Sequence, residues 1–244
     1  MKNQLKNIQA EYYKKSAQFY DEMHIKEGDE HFVALKYISN FLKMFDVHSA
    51  LDVGCGTGRA IKYFSENHPE IKIIGIEPVK ELIYQAVNKN KISPESVICG
   101  SGESLSFENA SFDIVCAFGV MHHVPKPDLI IKEMMRVAKK AIFISDSNRF
   151  GQGSILARWT KLLLYKIKLW HIIDLIKTKG KGYTFSEGDG VAYSYSIFDS
   201  YNQLAKWADK IILIPTSKKI CHKISWFHPL ITSSHVLICA IKNI

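Results

Sequence analysis

The sequence predicts an α/β protein built on a largely parallel sheet, and two observations carry that reading. Short apolar, β-branched runs alternate with amphipathic helical stretches between Ala50 and Asp146, the pattern of linked strand–helix–strand units. At one junction, Ala50–Tyr63 (ALDVGCGTGRAIKY), a strand ends in Leu51-Asp52-Val53 and passes through glycines at every second position, Gly54, Gly56 and Gly58. It then opens a helix. A strand that turns so tightly needs positive φ and a backbone that can approach a ligand with no Cβ in the way. The first N–H groups of the helix are free to meet something polar.

The elements follow in order. Asn7 to Phe45 is helical and aromatic, with Tyr12, Tyr13, Phe19, Tyr20, Phe32, Tyr37 and Phe41; breaks at Phe19-Tyr20-Asp21 and Gly28-Asp29-Glu30 predict two helices joined by a turn. Tyr12 and Tyr13 read as packing residues. Lys72–Glu77 is the second parallel strand. Its terminal acid, Glu77, can accept hydrogen bonds from both hydroxyls of a ribose. Pro78-Val79 opens a helix through about Val87, Ser96–Cys99 is a third strand, and Ser111–Phe118 a fourth. Gly119–Pro125 then lies at the carboxyl edge of the sheet, where ligands of open α/β sheets bind. His122 or His123 there can take a proton from a substrate. Pro127–Ala138 is an amphipathic helix with Leu129, Ile130, Met134 and Val137 inward. The fifth strand, Ala141–Asp146, brings Asp146, Asn148 and Arg149 to the same edge as candidate substrate contacts, Arg149 being suited to a phosphate or carboxylate. Ile155–Ile176 is a basic, amphipathic helical stretch, followed by a glycine- and turn-rich passage in which Glu187, Asp189, Tyr193 and Tyr195 are candidates for setting substrate choice that read mainly as structural. Ser196–Trp207 is a helix, with strands at Lys210–Ile214 and His235–Ile241 and a loop holding Trp226, Phe227, His228 and Pro229 between them.

The run Leu51-Asp52-Val53-Gly54-Cys55-Gly56-Thr57-Gly58 resembles motif I of the class I S-adenosylmethionine-dependent methyltransferases. Its Gly-x-Gly-x-Gly spacing departs from the Gly-x-Gly-x-x-Gly of dinucleotide binders. Asp52 would repel a pyrophosphate and attract a cationic amino group. The stretch Gly100-Ser101-Gly102-Glu103-Ser104-Leu105-Ser106-Phe107 is similar to that family's adenine loop, with Ser101 where an aspartate is usual; its hydroxyl is a weaker acceptor. The resemblance implies a Rossmann-like, seven-stranded, mostly parallel sheet with an antiparallel last strand, helices on both faces, an N-terminal helical cap and a helical insertion after strand 5. The implied cofactor is S-adenosyl-L-methionine, left as S-adenosyl-L-homocysteine. Asp52, Gly54, Gly56 and Gly58 would surround its methionine moiety, Glu77 its ribose, and Ser101, Gly102 and Glu103 its adenine. Tyr20 of the cap and Phe118 at the end of the fourth strand complete the implied cofactor set. One methyltransferase domain, 1–244, is expected: cap 1–46, cofactor-binding half 47–149, lid or insertion 150–195, and the remaining sheet 196–244.

Composition bounds the rest. Among 244 residues, 47% hydrophobic and 23% charged match an ordinary soluble globular chain. Five cysteines (Cys55, Cys99, Cys116, Cys221, Cys239) make no C-x-x-C pair and no metal spacing, so no metal is expected. The polar start and the lack of a long apolar run point to the cytoplasm. The net charge of +8 concentrates in the insertion, where Arg158, Lys161, Lys166, Lys168, Lys177, Lys179 and Lys181 face Asp174 alone between 150 and 182. The function expected is methyl transfer to an oxygen or nitrogen of a small acceptor, a phosphorylated or nucleotide-linked sugar fitting the basic residues. No Asn-Pro-Pro-Tyr-like element marks a nucleic-acid base as substrate. An RNA methyltransferase using the insertion and a non-catalytic partner subunit are the alternatives. The insertion is also a candidate homodimer surface, and a weaker one for contact with a membrane surface.

Overall fold

The computed structural model describes residues 2–43, 45–217 and 227–242. The cysteine at 221 and the tryptophan at 226 lie outside them. Helix α1 (Lys2–Ser16) runs through a 3-10 turn into α2 (Tyr20–His24), and α3 (Glu30–Leu42) follows a short turn. Asp29 caps α3 by accepting the His31 and Phe32 N–H groups at 3.0 and 2.7 Å. The core then alternates β1 (Ser49–Val53), α4 (Arg59–Asn67), β2 (Lys72–Glu77), α5 (Lys80–Asn88), β3 (Val97–Cys99), β4 (Phe112–Phe118), α6 (Pro127–Val137) and β5 (Ala138–Ser147). The insertion holds α7 (Ile155–Lys166), α8 (Trp170–Lys177) and a hairpin of β6 (Tyr183–Ser186) and β7 (Gly190–Tyr193). After it come α9 (Tyr201–Ala205), β8 (Lys210–Pro215), α10 (Pro229–Thr232) and β9 (His235–Ile241).

Seven of these strands form one sheet in the order β3-β2-β1-β4-β5-β9-β8. β1 to β5 pair in parallel, and β9 enters antiparallel between β5 and β8. The sheet is therefore the seven-stranded Rossmann-like arrangement expected. Strand periodicity sorts its core into two layers. Ile114, Cys116 and Phe143 face α3 and α4 with Leu35, Ile38, Ile61 and Phe64, while Val115, Ala117, Ile142 and Ile144 face α6 with Ile130, Met134 and Val137. Covering both faces lets the central strands read as unbroken apolar runs. On α6 the fourth inward residue is Ile131, fully buried, and Leu129 stays half-buried.

The insertion departs from one continuous helix. Lys168, at φ 60°, breaks the stretch into α7 and α8, and the glycine-rich passage forms the β6–β7 hairpin, which reading by composition left as a turn. Large apolar side chains remain exposed along α7 and α8, among them Leu156, Leu163, Leu175 and Ile176. No helix among the described residues is long and apolar enough to cross a membrane.

Candidate active site

The strand order reverses between β1 and β4, the crevice where doubly wound sheets bind ligands. Two loops meet there: the glycine turn after β1 and the Gly119–Pro125 loop after β4. The first is folded by its own backbone, Gly54 and Cys55 N–H donating to the Ile76 carbonyl at 2.8 and 3.0 Å. Gly54 sits at φ 77°, and a Cβ on it would stand 2.6 Å from Val120 Cγ2 on the second loop. Only glycine lets the two loops close so tightly. Glu77, at the end of β2, fixes the turn from the other side: its carboxylate accepts the Gly56 and Val79 N–H groups, each at 3.0 Å.

Asp52 and Glu77 are both buried, at 2% and 5% exposure. Among the described residues neither makes an ion pair; Asp52 has the Cys116 thiol at 3.9 Å. Burial pushes each carboxyl up to about 7, and the neighbouring Glu77 charge adds to the rise at Asp52. Arg59, across the recess, offsets part of the rise at Asp52, but neither acid is ion-paired among the described residues, and both fit a ligand that brings positive charge and hydroxyl donors, which an S-adenosylmethionine ammonium and ribose supply. Glu77 opens on a cavity of about 280 Å³ lined by Tyr13, Tyr20, Gly102, Phe118 and His123 among others. Asp52 lines a smaller recess that shares Tyr20, Gly54 and Phe118 with it. Ser101 and Glu103 also line the main cavity, and the Ser101 hydroxyl accepts the Glu103 N–H at 3.3 Å. The Tyr20 ring closes over the glycine turn, its hydroxyl 3.1 Å from where a Gly56 Cβ would be. The turn docks on the cap through residues the sequence did not single out: Asp21 accepts from the Thr57 hydroxyl (2.5 Å) and the Asn90 amide (2.9 Å). Arg59 pairs with Asp29 at 3.1 Å.

The second loop carries the histidines. Fully buried Asp146 accepts the Met121 N–H at 2.8 Å and holds His122 Nδ1 at 2.7 Å. Burial works against charge on both groups, but their pairing outweighs it and holds Asp146 down at about 2 and His122 up at about 10. His123 Nδ1 lies 2.7 Å from the Val191 carbonyl of β7. Asp189, in the turn of the hairpin, faces both rings: His123 Nε2 to Oδ1 is 3.4 Å and His122 Nε2 to Oδ2 is 3.8 Å. Gln9 of α1 secures the hairpin above them, its Oε1 accepting the Val191 N–H at 2.5 Å. Asp189, Gln9 and Tyr13 are thus part of this site although the sequence marked Asp189 and Tyr13 as structural. The signal available was slight, one acid between Gly188 and Gly190.

Two candidate substrate residues are turned elsewhere. Asn148 is fully buried; its amide donates to the Leu230 and Ser233 carbonyls at 2.7 Å each and accepts the Phe150 N–H at 3.1 Å. Arg149 pairs with Asp199, donates to the Ser194 carbonyl at 2.6 Å, and lies over the Phe150, Tyr165 and Trp170 rings. Neither lines the cavity. They stand beyond the end of β5 as the sequence predicts, but the Asn148 amide is engaged by α10 and the segment after it, and the two terminal nitrogens of Arg149 by Ser194 and Asp199, its Nε being buried without a partner among the described residues.

Comparison with known proteins agrees with this geometry. A family model described as a methyltransferase domain matches residues 51–144. An uncharacterized methyltransferase of Schizosaccharomyces pombe is 33% identical over 117 residues, which are 44% of this chain and 41% of that protein, so the match spans less than half of that relative's length. An uncharacterized protein of Methanocaldococcus jannaschii is 32% identical over 72% of this chain and 71% of its own length. Among solved structures, magnesium protoporphyrin IX methyltransferase from Synechocystis, with bound S-adenosylhomocysteine, superposes with a TM-score of 0.62 at 14% identity, covering 98% of this chain and all of that one. The chain belongs to the class I S-adenosylmethionine-dependent methyltransferases.

Proposed function

We propose that this methyltransferase acts on an oxygen or nitrogen of a small molecule held between the cofactor cavity and the histidine loop. One observation carries the reading. The cavity that presents Glu77 and Gly102 also presents His123, and the N-terminal helices cover it through Gln9, Tyr13 and Tyr20. Such a cover suits a small acceptor and excludes water. In this reading Asp52 holds the ammonium of the cofactor, Glu77 its ribose, and Ser101, Gly102 and Glu103 flank the adenine. The acceptor atom attacks the methyl carbon as the carbon–sulfur bond breaks and its electrons pass to sulfur. The sulfonium is already activated, so alignment is the main task, and positioning of this kind supplies ~7–11 kcal/mol. The acceptor passes its proton to His123, the ring that lines the cavity, since pairing with Asp146 keeps His122 protonated.

A phosphorylated or nucleotide-linked sugar is favoured by the basic insertion and Arg149. With the Arg149 guanidinium paired to Asp199, the reading narrows to a small acceptor with no requirement for a phosphate. RNA is disfavoured for a related reason. Two of the basic residues of the insertion are spent on backbone carbonyls, Arg158 on Ile231 and Lys161 on Arg149 and Gln152. The test is methyl transfer from labelled cofactor to panels of neutral and phosphorylated small molecules and to total RNA. Turnover of a small acceptor is expected, with no advantage from a phosphate. Turnover of RNA alone would overturn the reading. The four cysteines among the described residues are unpaired, in keeping with a cytoplasmic setting.

A further inference from the structure

We propose that His122, His123 and Asp189, with His24 beside them, form a binding site for a divalent transition-metal ion at the acceptor end of the cavity. The three donor atoms lie within 4.8 Å of one another, and His24 Nδ1 stands 4.0 Å from Asp189 Oδ1. The hydrogen bonds behind the rings decide what faces inward. His122 Nδ1 meets the Asp146 carboxylate and His123 Nδ1 meets the Val191 carbonyl. Both partners accept, so each ring gives its Nδ1 proton to them and presents Nε2 on the side of Asp189. This is the way metal-ligating histidines are oriented, by a carboxylate or carbonyl behind the ring. Without an ion the acids keep a second proton on His122, and a metal ion would take the place of that proton.

Protons occupy this place when no ion is bound, but loosely: a charge-assisted N–H···O bond closes to about 2.7–2.9 Å, whereas the Nε2–carboxylate separations are 3.4 and 3.8 Å. Ligands about 2.0–2.2 Å from a common ion stand about 3.0–3.5 Å apart, so the three donors, within 4.8 Å of one another, would draw together around an ion. The two rings also lie close, with centroids 3.9 Å apart and planes tilted by 44°, a poor arrangement for two imidazolium cations. Imidazole with one carboxylate selects the manganese-to-zinc series over magnesium and calcium, which take oxygen ligands.

The consequence for chemistry rests on the methyltransferase reading above. An ion held by His122, His123 and Asp189 would stand beside the cavity that His123 lines and would supply Lewis acidity, making the proton of a ligating hydroxyl acceptor easier to lose. The acceptor oxygen would then form the new carbon–oxygen bond as the carbon–sulfur bond breaks, leaving the thioether, with the hydroxyl proton released to solvent. The substrate class is therefore a small molecule with a metal-ligating hydroxyl.

Full-length protein stripped with a chelator and titrated with Mn²⁺, with the free-ion resonance signal followed, tests the site without an acceptor. One bound ion per chain is expected. Asp189→Asn and His122→Gln should each weaken it at least tenfold, each variant being checked for folding by S-adenosylhomocysteine calorimetry. Co²⁺ bound to the unmodified protein should give the visible spectrum of mixed nitrogen and oxygen ligation, a readout that needs no variant. The absence of stoichiometric Mn²⁺ binding, unchanged binding in both variants, or an all-oxygen Co²⁺ spectrum overturns the site. S-adenosylhomocysteine binding without metal binding removes only the metal; failure to bind S-adenosylhomocysteine removes the methyltransferase reading instead.

Discussion

At the scale of single residues, the two buried acids set how the cofactor binds. Asp52 and Glu77 stand near 7 in the free protein, so a proton competes with the cofactor for them. Affinity for S-adenosylmethionine should rise between pH 6 and 8, with proton release at pH 7 that calorimetry in buffers of different ionisation heat can count. Asp52→Asn should flatten that profile and weaken binding about ten- to a hundredfold, the loss of a charged hydrogen bond being worth about 1.5–3 kcal/mol. The same shifts act on stability with the opposite sign. A carboxyl whose value is raised in the folded state stabilises below its unfolded value near 4, and that contribution disappears as pH rises through 7. Ligand-free Asp52→Asn should therefore melt higher than the unmodified protein at pH 8, a gain in stability set against a loss of binding. Asn148 makes the contrasting case. Asn148→Ala removes a buried knot of hydrogen bonds and should cost about 1–3 kcal/mol. It should lower the melting temperature while cofactor affinity is unchanged; a loss of acceptor turnover at constant stability would return Asn148 to the substrate site.

At the scale of elements, the β6–β7 hairpin depends on α1. Gln9 is buried, accepts the Val191 N–H and donates to the Asp189 carbonyl at 3.3 Å. Gly190 lets the hairpin backbone approach the Gln9 side chain, since a Cβ there would lie 2.4 Å from Gln9 Oε1. In Gln9→Ala the buried Val191 N–H has no partner. Amide exchange over residues 183–195 should accelerate while exchange in β1, β4 and β5 stays slow, because the sheet core does not rest on this contact. Equal acceleration in the sheet would show that the hairpin is part of the main cooperative unit. This junction also explains what the sequence withheld. Lys72–Glu77 was legible as a strand to the residue, because a strand covered on both faces is apolar at nearly every position. The glycine turn was legible because its conformation limits the residue type. The hairpin was not: Val191 and Gln9 are 182 positions apart, and the role of Asp189 depends on partners brought to it by three other segments. Asn148 and Arg149 fall in the same class, since strand order placed them at the sheet edge but their partners come from later in the chain.

At the scale of the whole molecule, the sheet is closed out of sequence. β9 is the last strand in chain order, yet it lies between β5 and β8 and bonds along both of its edges. Its Val236, Leu237, Ile238, Cys239 and Ala240 are all fully buried. A chain ending at residue 234 would leave the edge of β5 unpaired and both core layers open, so it should be recovered in the insoluble fraction even though every residue implied in cofactor binding is present. Recovery of such a chain as soluble, cofactor-binding protein would show that the first five strands fold alone. The same arrangement has a consequence for synthesis. While the ribosome is still making the insertion, β5 has already emerged with one apolar edge waiting for a partner that lies about ninety residues downstream. At roughly 5–20 residues per second this exposure lasts many seconds. The nascent polypeptide is thus a client for a holding chaperone during that interval, and slow codons between β5 and β9 would lengthen it.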